Sequence, residues 1–305
     1  MTPPVRIFGV AVTYRRPEVL DRTLRIYSEQ TRPLDALVIV DNAAEPQVAV
    51  VAARWGGRYI AMSTNAGPAG AFAEGIELVL DRANDEDWVL LIDDDDPPTS
   101  ATTVERLVAF GHQQLSVDPR TAGVGNGGSV YNRRTGTFRR FAGQDLQGPL
   151  PVDTLFGNAQ PLYRCAALRR HPGFDRDFFW GFEEAQMGLS LRNAGHALYV
   201  DGSAFLRLRK DQDRSGLALR TGRTPSEKAA WRRYYSVRNS TVLARQHAQP
   251  WAVPFVAAGG AAKGTAALVR RRRPLKEVVL PARGAIEGLL GRMGRRVDPG
   301  TNEKE

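Results

Sequence analysis

The chain is organised around residues 88–98, which read Trp88-Val-Leu-Leu-Ile-Asp-Asp-Asp-Asp-Pro-Pro98. An apolar run passes directly into four carboxylates, Asp93 to Asp96, and then into two prolines that cannot continue a strand. The pattern predicts a buried β-strand that delivers acidic side chains to the edge of a sheet.

The acidic run favours a bound cation. Adjacent carboxylates repel one another, and Mg²⁺ is usually held by one or two carboxylates together with substrate phosphates. Alternate side chains of an extended segment point the same way, so Asp93 and Asp95 are predicted to share one metal ion while Asp94 faces elsewhere. A solvated acidic turn is the alternative interpretation, and the strands that precede the run favour the metal site.

Two further apolar segments precede this stretch. Residues 7–14 and 36–42 have the composition of strands, and the helical spacing of Leu20, Leu24 and Tyr27 predicts a helix between them. Strand, helix and strand indicate a parallel sheet, whose ligands bind beyond the carboxyl ends of the strands. The polar residues expected at this edge are Thr13, Arg15, Arg16, Asp41, Asn42 and the aspartate run. Asp41 has a second interpretation of equal weight, as the cap of the following helix.

A loop of small residues follows at 63–75, Ser-Thr-Asn-Ala-Gly-Pro-Ala-Gly-Ala-Phe-Ala-Glu-Gly, and opens into a predicted helix over 69–82. Glycines let the backbone approach a ligand closely, and a helix N-terminus favours anionic groups. The loop matches neither a Walker loop nor a Rossmann fingerprint, because the Lys-Ser/Thr pair of the first and the Gly-x-Gly spacing of the second are both absent.

Composition limits the class of protein. With 305 residues and 42% apolar content, the chain can bury the core of one large α/β domain or of two smaller ones. A single cysteine, Cys165, excludes an internal disulfide and fits a reducing cytoplasm. We find no signal-peptide core and no uninterrupted apolar stretch of membrane-spanning length, which predicts a soluble or peripheral protein.

Positive charge is concentrated in the last third of the chain. The net charge is +9, yet residues 201–305 carry 22 Lys and Arg against 9 Asp and Glu, and the remainder is slightly acidic. Such asymmetry suggests a nucleic acid or an anionic membrane surface as a neighbour. Residues 282–296 predict an amphipathic helix, suited to a membrane interface or to ordinary packing, with Ile286, Leu289, Leu290 and Met293 on one face.

Four polar stretches occur in a characteristic order: Val12-Thr-Tyr-Arg-Arg-Pro17, Val40-Asp-Asn42, Asn65-Ala-Gly-Pro-Ala-Gly70 and Leu91-Ile-Asp-Asp-Asp95. In order and spacing they resemble the nucleotide-binding half of family 2 glycosyltransferases, inverting enzymes with a GT-A fold that use nucleotide-diphosphate sugars. The resemblance implies an α/β fold with a Rossmann-like, mostly parallel central sheet flanked by helices. It places the catalytic domain at residues 1–210, divided near 100 into nucleotide and acceptor halves, and a basic, mainly helical region at 211–305.

The resemblance also implies roles for individual residues. Asp93 and Asp95 would hold Mg²⁺ or Mn²⁺. Many relatives add a histidine ligand after a later strand, but residues 202–210 contain none, and Arg207 or Arg209 would neutralise phosphate there instead. The residues that would contact the nucleotide sugar are Thr13, Arg16, Asp41, Asn65, Gly67, Gly70, Asp94 and Arg207.

Residues 178–195 resemble the acceptor-side motif of the family, an acidic pair before a helix with an arginine and a glycine further on. The second acid, usually Asp, is the general base in that motif, and here it would be Glu184. Because Glu is one methylene longer than Asp, Glu183 stays an alternative base. Trp180 is expected to contact the acceptor. Residues 231–240 resemble a segment of bacterial rhamnosyl- and galactofuranosyl-transferases.

We therefore predict an inverting glycosyltransferase of cell-envelope polysaccharide or glycoconjugate biosynthesis, cytoplasmic or peripheral at the inner face of the plasma membrane. The expected partners are a UDP- or dTDP-linked sugar, a hydroxyl acceptor such as a lipid-linked glycan, and an anionic membrane surface. A nucleotidylyltransferase and a natural-product glycosyltransferase are the alternative enzymes. A nucleic-acid-binding protein is the non-enzymatic alternative, but it lacks a recognition motif and leaves the aspartates unexplained, so no nucleic acid is expected.

Overall fold

The computed structural model describes residues 4–139, 141–171, 173–211 and 230–299. The chain divides into two units, the first made of 1–130, 141–175 and 184–216 and the second of 131–140, 176–183 and 217–305. Two short segments of the predicted catalytic domain, 131–140 and 176–183, are thus grouped with the C-terminal region. Residues 212–229 and 300–305 of that predicted region lie outside the described residues.

The described strands are β1 (Ile7–Thr13), β2 (Ala36–Asp41), β3 (Arg58–Ala61), β4 (Trp88–Asp93), β5 (Thr121–Gly125), β6 (Gly128–Asn132), β7 (Thr137–Arg139), β8 (Pro149–Val152), β9 (Thr154–Leu155), β10 (Leu162–Arg164) and β11 (Ala197–Asp201). The described helices are α1 (Pro17–Ser28), α2 (Pro46–Arg54), α3 (Gly67–Leu80), α4 (Thr103–Val117), α5 (Cys165–Arg170), α6 (Glu183–Asn193), α7 (Gly202–Asp211), α8 (Ala230–His247), α9 (Ala252–Val269), α10 (Leu275–Val278) and α11 (Leu280–Leu290). The α/β class and the C-terminal helices agree with the prediction.

The first unit is built on a sheet of order β3-β2-β1-β4-β10-β5-β11-β8. β1 to β4 are parallel, as is the β5–β11 pair, whereas β10 and β8 run antiparallel to their neighbours. The carboxyl ends of β1, β2 and β4 therefore lie at one edge. This arrangement confirms the mostly parallel sheet and explains why the polar residues that follow three separate strands meet.

Alternation along β4 divides the core between the two faces of the sheet. Val89 and Leu91 pack with α3, α5 and α6, whereas Trp88, Leu90 and Ile92 pack with α1, α2 and α4. Burial on both faces explains the continuous apolar run, since a strand covered on one side would alternate with polar residues. All five side chains are at most 1% exposed, so β4 is packed on both faces up to the point where its acidic residues begin.

In the second unit, α8, α9 and α11 pack against one another. The helix predicted over 282–296 ends at Leu290, because Gly291 adopts a φ of +69° and stops it, so Met293 lies beyond the helix. The sequence contains no uninterrupted apolar stretch long enough to span a membrane, since Lys263 interrupts α9. In the described part of the chain, α9 is nevertheless long and apolar enough to do so by length and composition, with a mean hydropathy of 1.4 and 22% of it buried.

Candidate active site

The end of β4 is joined to the end of β1 by short hydrogen bonds. Thr13 Oγ1 donates to Asp94 Oδ2 at 2.6 Å, and Arg16 Nη2 donates to Asp94 Oδ1 at 2.6 Å. Arg16 Nη1 donates to Asp95 Oδ2 at 2.9 Å. The structure thus brings these four residues together, but Asp94 and Asp95 contact the same arginine. The predicted alternation fails here because the strand ends at Asp93 and the chain then turns.

Asp93 faces a different partner, the predicted base Glu184. Both carboxylates lie against Gly157: a Cβ at this position would overlap Glu184 Oε1 and would lie 3.3 Å from Asp93 Oδ2. Backbone N–H groups of Gly157 and of Glu184 itself donate to the Glu184 carboxylate. The tertiary fold therefore places an acid from the predicted acceptor half beside the acidic run of the nucleotide half.

The pKa values of three carboxylates in this cluster are raised, chiefly by burial. Burial raises the pKa of Asp93 well above its ordinary value, and the charges of Glu184, Asp96, Asp95 and Asp94 raise it further. Burial also raises the pKa of Asp94, to about 6, although the Arg16 charge and the Thr13 hydroxyl oppose that shift. The pKa of Glu184 is raised by burial against the two backbone hydrogen bonds.

The ends of β2 and the small-residue loop are tied together beside this cluster. Asn42 Nδ2 donates to the Gly67 carbonyl at 3.0 Å, and Asn65 Oδ1 accepts from the Gly67 N–H at 2.9 Å. Gly67 adopts a φ of +69°, which a residue with a side chain would enter only at a cost, and it begins α3. A Cβ at Gly70, in the first turn of α3, would lie 2.6 Å from the Cβ of Ala66. Gly67 is therefore required by its backbone conformation and Gly70 by this close approach.

Asp41 is fully buried and accepts three hydrogen bonds, from the N–H groups of Ala43 and Glu45 and from the Tyr59 hydroxyl. These contacts stabilise the turn that leads from β2 to α2. They are not a helix cap, because α2 begins at Pro46 and its N-cap residue is Glu45, so the capping interpretation is wrong. Its predicted contact with the nucleotide stays a prediction.

The side chains at the end of β4 have the oxygen donors that a divalent metal ion requires. Asp93 and Asp95 supply the carboxylate oxygens that hard cations prefer, and the raised pKa of Asp93 indicates a site that added positive charge would stabilise. Within the described ranges, no three His, Cys, Asp or Glu side chains are already arranged around a metal position. The residues fit a metal that is held by one or two carboxylates and completed by a ligand.

The remaining predicted residues lie on other elements. Glu183, the first residue of α6, is 6% exposed. In the second unit, Trp180 packs edge-on against Trp231 with ring centroids 5.3 Å apart. Arg207 is exposed on α7, whereas Arg209 donates to the Phe141 carbonyl at 2.7 Å. Their proposed contacts with substrate stay predictions.

Sequence reasoning gave no role to Arg238 and Asn239, which are both 0% exposed on α8. Asn239 Nδ2 donates to the carbonyls of Phe178, Trp180 and Gly181 at 2.9, 3.0 and 2.7 Å. Arg238 Nη2 donates to the Phe178 carbonyl at 2.9 Å. The sequence does show adjacent Arg and Asn residues among the apolar residues of α8. Their carbonyl partners are about sixty positions away in the sequence, so the contact could not be predicted from the pair itself. Gly157 was missed for the same reason, because a lone loop glycine has many causes.

Comparison with known proteins identifies what the chain is similar to. A sequence model described as Glycosyl transferase family 2 matches residues 10–176. Galactofuranosyltransferase GlfT1 of Mycobacterium tuberculosis is 31% identical over 205 residues, which cover 62% of this chain and 65% of that protein. The enzyme of the same name from Mycolicibacterium smegmatis is 31% identical over 179 residues, covering 54% and 58%. The matched segment thus spans less than two thirds of either relative.

Solved structures share the fold. Mannosyltransferase PcManGT from Pyrobaculum calidifontis, in complex with GDP-Man and Mn²⁺, aligns with a TM-score of 0.54 and 16% identity, over 95% of this chain and 89% of that one. GalNAc-T7 with UDP, GalNAc and Mn²⁺ aligns with a TM-score of 0.50 and 13% identity, over 66% and 43%. The α/β architecture is therefore the GT-A fold.

Replacing Asp93 by Asn is expected to raise the melting temperature at pH 8 in metal-free buffer and to leave it nearly unchanged at pH 4. The folded protein binds this proton more tightly than the unfolded chain does, so ionisation costs stability as the pH rises, by about 1.4 kcal/mol per unit of pKa shift. Thermal melts between pH 4 and pH 8 measure the effect. Asp95→Asn is the control, because it removes an attraction to Arg16 and should not stabilise the protein. A lower melting temperature for Asp93→Asn at pH 8 would show that the ionised Asp93 carboxylate stabilises the fold.

Replacing Gly157 by Ala is expected to displace the Glu184 carboxylate and to destabilise the fold by about 1–3 kcal/mol, the usual cost of overpacking. Urea unfolding measures the loss. Gly173→Ala is the matched control in the same unit, because a Cβ there would meet no atom within 4 Å. Equal stabilities for the two variants would show that the carboxylate does not lie against Gly157.

Proposed function

Because the chain belongs to glycosyl transferase family 2, we propose that it transfers a sugar from a nucleotide-diphosphate donor to a hydroxyl group of an acceptor, with inversion at the anomeric carbon. The observation that carries the proposal is the approach of Glu184 to Asp93 across Gly157, beside the aspartates that contact Arg16. A proton acceptor and a phosphate-binding edge are the two groups that such a displacement needs.

In this proposal Glu184 is the general base. It takes the proton from the acceptor hydroxyl while the hydroxyl oxygen bonds to the anomeric carbon and the bond from that carbon to the diphosphate breaks. Burial raises the pKa of Glu184, so its carboxylate is a stronger base than that of an ordinary glutamate. The raised pKa is also nearer to the pH at which a general base works. Glu183, buried at the first position of α6, is the alternative base.

The donor would be bound at the sheet edge. Asp93 and Asp95 would hold a divalent metal ion, which supplies Lewis-acid stabilisation of the departing diphosphate when bound. Arg16 adds a positive charge beside Asp94, and the N-terminus of α3 at Gly67 and Gly70 offers backbone N–H groups to phosphate oxygens. The other proposed contacts with the nucleotide sugar are Thr13, Asp41, Asn65 and Arg207.

The relatives support a choice of substrates. Both mycobacterial proteins are galactofuranosyltransferases by name, so we propose a galactofuranosyl donor, UDP- or dTDP-linked, and an acceptor hydroxyl of a cell-wall polysaccharide, carried on a lipid or free. Trp180 would contact that acceptor. The alternatives of a nucleotidylyltransferase, a natural-product glycosyltransferase and a nucleic-acid-binding protein are not favoured by the family match.

Glu184→Gln is expected to keep donor binding and to lower turnover by roughly 10² to 10⁴, the usual contribution of a positioned base, because Gln keeps the shape but accepts no proton. Transfer from a panel of UDP- and dTDP-sugars at saturating metal, with donor affinity by calorimetry, measures both quantities. Glu183→Gln is the matched control and should retain most turnover. Loss of transfer in Glu183→Gln alone would move the base to that residue.

We also propose a peripheral position at an anionic membrane surface, on the cytoplasmic side. In the second unit, the apolar side chains Phe255, Leu275, Ile286 and Leu290 are each more than half exposed. Basic residues accompany them at 270–273, and each basic residue near an anionic surface adds about 1 kcal/mol. Exposed apolar side chains and nearby basic residues are both typical of helices that lie in the interface of a membrane.

Binding to anionic vesicles is expected to weaken as salt rises, because exposed charges are screened within about 8 Å at physiological ionic strength. Co-sedimentation with phosphatidylglycerol vesicles, against phosphatidylcholine vesicles as the neutral control, measures it. Replacing Arg270 to Arg273 by Gln should reduce binding at low salt. Salt-independent binding that survives this change would remove electrostatics from the explanation.

A further inference from the structure

The second unit contains a pocket of about 350 Å³ between the 131–138 hairpin, α8 and α9. Phe138 and Phe182 stack on one side with ring centroids 6.0 Å apart and an interplanar angle of 23°. Leu243 and Val256 add aliphatic surface. The volume falls within the range of small-molecule sites and offers room for roughly a dozen water-sized groups of about 30 Å³ each. The walls are those of a site for a hydrocarbon.

Polar groups are few. The hydroxyls of Thr135 and Thr137 bond to each other at 2.8 Å, and the hydroxyl of Ser240 donates to the Val237 carbonyl. The side chain of Lys263 is exposed, and it makes no ion pair or hydrogen bond with any other residue that the structure describes. A pocket with one available cation and hydroxyl groups favours an anionic ligand, because an ammonium group binds phosphate oxygens as a point charge.

Exposed aromatic side chains adjoin the pocket. Phe255 belongs to its lining and is nevertheless 71% exposed. Trp251 is 53% exposed and packs edge-on against Phe255, with ring centroids 6.3 Å apart. Apolar surface therefore continues from the pocket to the outside of α9, so a chain longer than the pocket has an apolar path to follow.

We propose that this pocket binds a phosphate-bearing amphiphile, with Lys263 at the phosphate and part of the hydrocarbon chain between the aromatic rings. A free phosphate would leave the aromatic walls in water, and a neutral hydrocarbon would make no use of the positive charge of Lys263 at the pocket. Only a ligand with both parts satisfies both parts of the pocket. The assignment goes beyond sugar transfer, because none of the lining residues has a part in the proposed reaction.

The helix α9 supplies variants that separate pocket filling from loss of folding. Gly259 and Gly260 both line the pocket, but a Cβ at Gly260 would press on Val237 at 3.2 Å, whereas a Cβ at Gly259 would meet nothing within 4 Å. Gly259→Phe therefore fills the pocket without a backbone clash, and it replaces a poor helix former. Ala262→Phe adds the same ring to an exposed position of the same helix outside the lining.

Calorimetric titration with n-alkyl phosphates from butyl to hexadecyl, each below its micelle concentration, tests the proposal on the full chain. Affinity is expected to rise about fourfold for each added methylene until the pocket is filled and then to level off. Inorganic phosphate should not bind measurably. Affinity that rises without a plateau, or inorganic phosphate that binds as well as the alkyl phosphates, would overturn the proposal.

The variants complete the test, with thermal melts as the check of folding. Gly259→Phe should reduce decyl phosphate affinity at least tenfold while Ala262→Phe retains it, and Lys263→Glu should weaken decyl phosphate but not decyl maltoside. Equal binding by Gly259→Phe and Ala262→Phe would overturn the site. Competition by phosphatidic acid and by an isoprenyl phosphate then distinguishes a membrane phospholipid from a lipid carrier, and displacement by neither would contradict the proposed chemistry.

Discussion

Mutual repulsion among carboxylates at the end of β4 is the constraint on which the first unit depends. A strand buried on both faces carries Asp93 to the sheet edge, and the chain turns at once through three further aspartates. Arg16 offsets the charges of Asp94 and Asp95, whereas Asp93 is set against another acid, Glu184. An arrangement that raises the pKa values of both acids costs folding stability, and such costs are typical of sites kept for function.

The second unit also contains a buried charge, which hydrogen bonds to backbone carbonyls stabilise. Arg238 is a buried charge whose guanidinium donates to backbone carbonyls, and burial lowers its pKa. The loop that supplies those carbonyls includes Phe179 and Phe182 at φ values of +60° and +69°, which are unfavourable for residues with side chains. The hydrogen bonds from Arg238 and Asn239 offset that strain. The loop ends at Glu183, the first residue of α6.

The second unit exposes large apolar side chains to solvent, among them Trp251, Phe255 and Leu275. A helix such as α9, with an apolar composition and less than a quarter of it buried, exposes side chains that an isolated soluble protein would tend to cover. Its aromatic pair, its neighbouring arginines and the adjoining pocket are compatible with an amphiphilic environment. Charge and hydrophobicity thus act on the same unit, while the acidic edge belongs to the other.

Local signals determined the layout of the sheet, because a strand buried on both faces needs a continuous apolar run and a strand end needs residues that stop it. The strands at 7–13, 36–41 and 88–93 and the polar residues at their ends were therefore predictable. Tertiary structure alone decided the rest. Glu184 lies against Gly157 beside Asp93, and Asn239 donates to the Phe178 carbonyl, 61 residues away; both are contacts between distant segments. Such contacts depend on how elements pack in space, and the periodicity of any one segment carries no information about its distant partner.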